Sequence, residues 1–504
     1  MSYKIDLSEI RTADRTARRG SITEDIVSLF TAVIDAGQLG PGEKLPTTRA
    51  LAEEAGVNHL TAARAYRRLA ELGYVTASVG RGTFVRAGAA ARTEDGSDED
   101  WQSWILPDRR ATYSERIFQE MFRSPAREEV ISLAVGFPDP ALYPTEQLAD
   151  ITRRVFAEEG GAALSYLNAE GLPALREAIA ERGRREGYAT EAEEIIVTSG
   201  ARQGLDLIAR TVLGPGDVAV VESPSFIGVL SSLEATGARV IGVPVDEDGF
   251  DVDALERVLA RHEVKLVALQ TSCQNPTGRD LAPDRRQRLA DLARERSFFI
   301  LEDGVYASLR FEGEEQQRLR SLAPSHVIYV DSLSKTIGGG LRVGWIAARG
   351  PVFSRLALMK MGSDMGTSTL TQHIAARWLA GDAHDRKLQE TLPVYRERRD
   401  ALLEALERHM PGEYRAQRPV GGHHVWMTLN RPLDERALYS EALRCGVSFT
   451  PGMATLAEPR AETALRLSFG LNEPERLDEG VRRLARAVRS VRREARVGLT
   501  APVS

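Results

Sequence analysis

The chain has 504 residues, 42% of them apolar, with 66 basic against 72 acidic side chains and a net charge of −6. That length exceeds one compact domain and allows sizeable cores, while no apolar run reaches membrane-spanning length and the first thirty residues are too charged for a secretory leader. Two cysteines, Cys273 and Cys445, lack a CxxC or histidine cluster beside them, which fits a cytoplasmic, reducing compartment and argues against a metal site.

Near the N-terminus, Ile26, Leu29, Phe30, Val33 and Ile34 repeat at helical spacing up to Gly37, and a turn follows at Pro41–Pro46. A short helix runs from Thr47 to Ala55 and stops at Gly56. Another starts after Asn58, a suitable cap, and places Ala62, Ala65, Tyr66 and Leu69 on one face before Gly73. The runs Tyr74–Ser78 and Thr83–Arg86 flank Gly80-Arg81-Gly82 as a hairpin, so the whole reads as a winged helix-turn-helix. Residues 1–92 hold thirteen Lys/Arg against ten Asp/Glu, a net of +3 where the remainder carries −9. That contrast favours a phosphate-backbone partner.

The stretches PGEKLPTTRALAEEAGV and GYVTASVGRGTFV resemble the winged helix-turn-helix of the GntR regulators over about Ser21 to Val85. The resemblance implies a DNA-binding domain over residues 1–86 that docks on double-stranded DNA. The N-terminal end of the second helix, with Asn58, His59, Thr61 and Arg64 (and Arg68 further along), would enter the major groove, and Arg49 and wing residue Arg81 would reach phosphates or the minor groove. His59 stands where relatives often carry arginine. Leu60 replaces a polar residue and either contacts a thymine methyl or packs within the module. Residues 87–112 then turn Ala/Gly-rich, acidic from Glu94 to Asp100, and aromatic at Trp101 and Trp104, without a steady period. They read as a linker with an aromatic anchor.

Past Arg92 only Lys265, Lys335, Lys360 and Lys387 can supply an amine nucleophile, because arginine stays protonated. Lys335 follows the apolar run Val327–Val330 in the stretch Ser332-Leu-Ser-Lys335-Thr-Ile-Gly-Gly-Gly-Leu-Arg342, which offers hydroxyls, a cation and glycines that allow close backbone approach to a phosphate. Three further polar clusters close short β-branched runs: Thr198–Gly204, Gln274–Gly278 and Glu302–Tyr306. Each is followed by a helical pattern, and ligands bind at such strand ends in open α/β sheets.

In this order the clusters closely resemble the fold-type I aminotransferases that use pyridoxal 5′-phosphate (PLP), from about Ile131 to about Val488. The resemblance implies an α/β fold over residues 113–504: a large mixed-sheet domain with a smaller α+β C-terminal part. It implies that Lys335 is the catalytic lysine bonded to the cofactor aldehyde and that Asp303 pairs with the pyridine nitrogen. Tyr306 and Asn275 would hydrogen-bond the ring hydroxyl, and Phe226 would stack on the ring, unless it is a core aromatic. Gly200, Ala201, Arg202, Ser332 and Arg342 would hold the phosphate. Tyr166 would reach the phosphate of a partner subunit, which makes the unit a homodimer. Arg466 would grip an effector carboxylate beside Gly136, its bland alternative being a surface ion pair. Two departures stand out: Gly338-Gly339 where many relatives have Ala-Pro, and Phe226 where tyrosine is common. Cys273 either lines the pocket or is core.

A GntR-type reader ahead of an aminotransferase-like domain is the layout of the MocR regulators. The expectation is a PLP-dependent bacterial transcriptional regulator that binds promoter DNA and senses PLP, or an anionic amino compound through an external aldimine. The alternative is an active aminotransferase with an appended DNA-binding domain.

Overall fold

The computed structural model describes residues 22–35, 39, 42–78, 82–86, 117, 119–120, 129–188, 190–314, 317–458 and 460–500. The chain divides into two units between Ala111 and Thr112. Gly37, Gly80, Arg81 and the linker at 87–112 with Trp101 and Trp104 lie outside the described residues.

In the first unit, α1 (Ile22–Asp35) precedes α2 (Thr48–Ala55) and α3 (His59–Glu71), and β1 (Val75–Ser78) pairs antiparallel with β2 (Gly82–Val85). Thr47 caps α2 by accepting from the Ala50 amide at 3.2 Å, and Asn58 caps α3 by accepting from the Leu60 amide at 2.9 Å. Each cap satisfies an amide that the first helical turn leaves without an acceptor. Gly56, at φ 64°, ends α2 in the left-handed conformation that glycine adopts without a Cβ penalty. Ile26, Phe30, Leu51, Ala62, Tyr66, Leu69 and Val85 form the core. Tyr66 meets Phe30 edge-on with centroids 5.8 Å apart and donates its hydroxyl to the Pro46 carbonyl at 2.8 Å.

The second unit is built on an eight-stranded mixed sheet in the order β4-β11-β10-β9-β8-β5-β6-β7. These strands are β4 (Ile195–Thr198), β5 (Val218–Ser223), β6 (Arg239–Asp246), β7 (Gly249–Phe250), β8 (Val264–Leu269), β9 (Phe299–Asp303), β10 (Val327–Ser332) and β11 (Gly344–Ala347). The five central strands from β10 to β6 are parallel, and β11 and β7 run against their neighbours. Side chains alternate between two helical layers, as a period of two demands. Ile196, Val221, Leu266 and Val330 meet α6 (Ala201–Val212), α7 (Ile227–Glu234) and α10 (Pro351–Asp364). Ile195, Val197 and Trp345 meet α4 (Thr145–Glu159), α5 (Pro173–Arg185) and α11 (Thr369–Leu379), while Val220, Val267 and Ile300 meet α8 (Val252–Leu259) and α9 (Pro283–Arg296).

A smaller antiparallel sheet orders β12 (Tyr414–Ala416), β13 (His424–Leu429), β16 (Ala464–Ser468) and β15 (Thr450–Pro451). Its Val425, Met427, Leu465 and Leu467 pack with Leu402 and Leu406 of α12 (Ala383–His409) and with Leu477, Val481 and Leu484 of α14 (Pro474–Thr500). Beside α13 (Glu435–Arg444), β14 (Val447–Ser448) pairs with β3 (Ile131–Ser132), which ties the segment after β3 to this C-terminal part.

Two of the expected strand-to-helix passages are absent. β9 is followed by one 3₁₀ turn and β10 by two, after which the chain returns as antiparallel β11. Gly338 at φ 129° and Arg342 at φ 54° lie outside the right-handed helical region, so no helix can run through this turn. No helix among the described residues is long and apolar enough to cross a membrane.

Candidate cofactor and effector site

The carboxyl ends of the parallel strands bring the predicted residues together. Lys335, Asp303, Tyr306, Asn275, Phe226, Ala201, Arg202, Ser332, Arg342, Arg466 and Gly136 line one cavity of about 650 Å³. The Lys335 amine donates to the Gly136 carbonyl at 2.8 Å and lies 5.6 Å from the Tyr306 ring centre. Burial and, after it, the Arg466 charge lower its pKa to about 8, with Asp303 opposing both. A lysine so placed releases its proton far more readily than one in water, as an amine nucleophile requires.

Asp303 is buried, which pushes its carboxyl up to about 6 against hydrogen bonds from the Val305 amide and from Gln270 Nε2 at 2.9 Å. Gln270 also accepts from the Asn275 amide at 2.7 Å, so one side chain orients both predicted ring partners. Beneath it lies Glu222, fully enclosed and pushed up to about 8 by burial, accepting from the Gln270 amide at 3.0 Å. Gln270 and the role of Glu222 escaped sequence reading because a buried glutamine or glutamate carries no local pattern.

At the other end, Gly200 at φ 89° opens α6, whose first residues, Ala201 and Arg202, line the cavity. A Cβ there would lie 2.7 Å from Arg342 Nη2, so only glycine lets that guanidinium approach. Arg342 donates to the carbonyls of Ser199 and Gly339, and Ser332 and Ser334 share a 2.8 Å hydroxyl contact. A helix N-terminus, two hydroxyls and a cation form an anion cradle. Arg202 also lines the cavity, and its guanidinium donates to Ser231 Oγ at 2.7 Å, Ser232 Oγ at 2.9 Å and the Gly228 carbonyl, which leaves its backbone for the cradle. The ring of Phe226 lies so close over Gly228 that a Cβ there would be 2.3 Å away.

Arg466 is 3% exposed, and its partners are Asn275 Oδ1 at 2.8 Å and the Ala134 carbonyl. Its Nε has no hydrogen-bond partner and burial lowers its pKa to about 10. It is therefore no surface ion pair, and it retains donors for an anion. His424, which sequence reading missed, meets the Tyr306 hydroxyl through Nε2 at 2.9 Å and is held neutral by burial and by Arg466. It also explains Gly136, where a Cβ would lie 2.4 Å from the imidazole. Cys273 belongs to the C-terminal core, and burial pushes its thiol up to about 12. Tyr166 stands apart, 89% exposed and lining a separate hollow with residues 364–370. Among the described residues no group of side chains could hold a metal ion.

Asp303 opposite an anion cradle, with an amine and a partly unsatisfied arginine between, matches the charges of a pyridine ring, its phosphate, its aldehyde and a carboxylate-bearing amine. The model for aminotransferase class I and II matches residues 128–484, and that for bacterial regulatory proteins of the gntR family matches residues 22–85. The chain belongs to the class I and II aminotransferases. Its added GntR domain gives this family member the MocR architecture, and its cofactor is PLP, the group these residues fit. It is 35% identical to aromatic-amino-acid aminotransferase 1 of Thermococcus litoralis, over 74% of this chain and 91% of that one. It is 29% identical to the HTH-type transcriptional regulator TauR of Rhodobacter capsulatus, over 94% and 97% of the two chains. Among solved structures, the multiple substrate aminotransferase of Thermococcus profundus superposes with a TM-score of 0.71 at 32% identity, covering 76% of this chain and 98% of that one.

The GntR domain is a DNA-binding module, and α3 of this MocR-type chain exposes Asn58, His59, Leu60 and Arg64, with Thr61 half-buried. Leu60 is 64% exposed, so it is not packed within the module. Arg49 is exposed at the start of α2, whereas Arg68 is engaged with Glu71 and Glu24. Lys44 lies 5.9 Å over the Phe84 ring at the base of the hairpin.

Proposed function

We propose that the protein is a homodimeric, cytoplasmic transcription regulator whose aminotransferase-like unit senses an anionic amino compound at a PLP held on Lys335. The observation that carries this reading is Arg466, which is buried in the cavity of Lys335 and, among the described residues, has only an amide oxygen and a carbonyl as partners. Burying a guanidinium without a carboxylate is costly, and an anionic ligand offsets that cost. PLP supplies an electrophilic carbon and an electron sink when bound. Around it, Asp303 would hold a proton on the pyridine nitrogen, Gln270 would orient Asp303, and Tyr306 and Asn275 would donate to the ring oxygen. Gly200, Ala201, Ser332 and Arg342 would hold the phosphate, and Lys335 would give way to the incoming amine. Ligand-dependent differences between two forms of the protein would then alter how the DNA-binding units act. Arg49, Asn58, His59, Thr61 and Arg64 are the DNA contacts favoured by exposure and position on α2 and α3, and regulators such as TauR and YdcR, of the same two-part length, support the role.

The intact set of Lys335, Asp303 and Arg466, with the likeness to aromatic-amino-acid aminotransferase 1, favours a second reading, an active aminotransferase. Two measurements decide between them. Borohydride should fix PLP on Lys335 and not on Lys265, Lys360 or Lys387. The loaded protein should then shift the DNA upstream of its own gene, with an affinity that changes when an amine binds and ceases to change in Arg466→Gln. Steady turnover of an amino acid with a keto acid, without specific DNA binding, would establish the enzyme instead.

A further inference from the structure

The same cavity constrains the side chain of the ligand, an inference that rests on the amine-sensing reading above. We infer that the effector is an amino acid with a single carboxylate and a bulky apolar side chain, and that acidic amino acids are poor ligands. Four cations line the cavity among the described residues: Arg202, Lys335, Arg342 and Arg466. Lys335 is the amine itself. Arg342 is held at the anion cradle through Ser199 and Gly339, and the Arg202 guanidinium is committed to Gly228, Ser231 and Ser232. Among the described residues of this chain Arg466 alone is left for a carboxylate, so a second carboxylate would find none of these cations free to meet it. An unpaired buried carboxylate is among the most costly groups to enclose.

The walls that a side chain would touch are apolar. The Phe137 ring centre lies 5.9 Å from Lys335 Nζ, so a substituent on the carbon that carries the amine starts against it. Next come buried Pro138 and half-buried Tyr143, whose hydroxyl is turned to the Pro138 carbonyl at 3.2 Å. That bond leaves the ring of Tyr143 as a hydrocarbon face. Opposite, Gly338 approaches this ring, its notional Cβ 3.7 Å away, whereas at Gly339 and Gly340 an added Cβ would meet no atom within 4 Å. The turn therefore leaves open space beside the Tyr143 ring, where a large side chain fits.

The test is a titration of the PLP-loaded full-length protein, read by the absorbance of the bound cofactor. L-phenylalanine or L-leucine should half-saturate it at about tenfold lower concentration than L-glutamate or L-2-aminoadipate, the discrimination a shaped apolar pocket can supply. Phe137→Ala and, independently, Tyr143→Ala should weaken phenylalanine several-fold more than alanine. Equal or tighter binding of glutamate or 2-aminoadipate would overturn the side-chain inference and leave the amine-sensing reading standing. So would retention of the full phenylalanine preference in both variants. A protein that carries PLP on Lys335 yet responds to no amino acid would overturn both.

Discussion

Glu222 shows how a single enclosed group shapes the site's dependence on pH. It takes no part in the cavity wall, yet it accepts from the Gln270 amide and from Gln274 Nε2 at 3.2 Å, and Gln270 in turn holds Asp303. Burial raises its pKa to about 8, with the nearby Asp303 charge adding to the rise. The folded protein therefore keeps this proton over a range in which the unfolded chain has lost it. The stability it contributes is full below the ordinary glutamate pKa and is lost as pH rises through about 8. Glu222→Gln cannot ionise, so in cofactor-free protein it should flatten the fall of the melting temperature of this unit between about pH 5 and about pH 8, an effect on the order of a few kcal/mol. Parallel melting profiles of variant and parent would show that Glu222 does not titrate in this range. Asp331, also pushed up to about 8 by burial, leaves a residual slope in both proteins.

At the scale of elements, α3 separates two roles that fall on neighbouring residues. Asn58 caps the helix and stands at the end proposed above to face DNA, whereas Arg64 is exposed nearly two turns further on. Asn58→Ala should cost about 1 kcal/mol and lower the melting temperature of the first unit by roughly 4–8 °C. Arg64→Ala should leave that melting temperature unchanged and weaken DNA binding, with about one unit less salt dependence if it meets a phosphate. A fall in melting temperature for Arg64→Ala would instead mark it as structural. Much of this was legible because caps, glycine stops and alternating runs are local signals: Asn58, Gly56 and the β-branched strands were found within a residue or two of their observed bounds. The turn after β10 was not, since its outcome depends on Arg342 in a left-handed conformation and on pairing with β11, over a hundred residues from its other neighbour β4. His424 and Gln270 were illegible for the same reason, because each acquires meaning only from residues brought to it by the fold.

For the whole molecule, Tyr166 is the residue whose role one chain leaves incomplete. It is 89% exposed, in a segment with Leu164 at 69% and facing Met365 at 64% across the hollow they share. Exposed apolar side chains gathered in this way mark a surface that another protein covers. A second copy of this chain, the partner proposed above, would also give Tyr166 a hydrogen-bond partner, the phosphate bound in the neighbour's cradle. Tyr166→Phe should then weaken PLP binding by about 1.5–3 kcal/mol, the worth of one hydrogen bond to a charged group, without altering Lys335 or Asp303 in its own chain. Mixing Tyr166→Phe chains with Lys335→Ala chains provides the decisive arrangement. In the mixed dimer one pocket combines an intact Lys335 with the partner's intact tyrosine, and the other lacks both. Half of its sites should bind PLP with full affinity, although neither parent homodimer has an intact pocket. A mixed dimer whose single lysine-bearing site binds PLP no better than the Tyr166→Phe homodimer would show that each chain completes its own site.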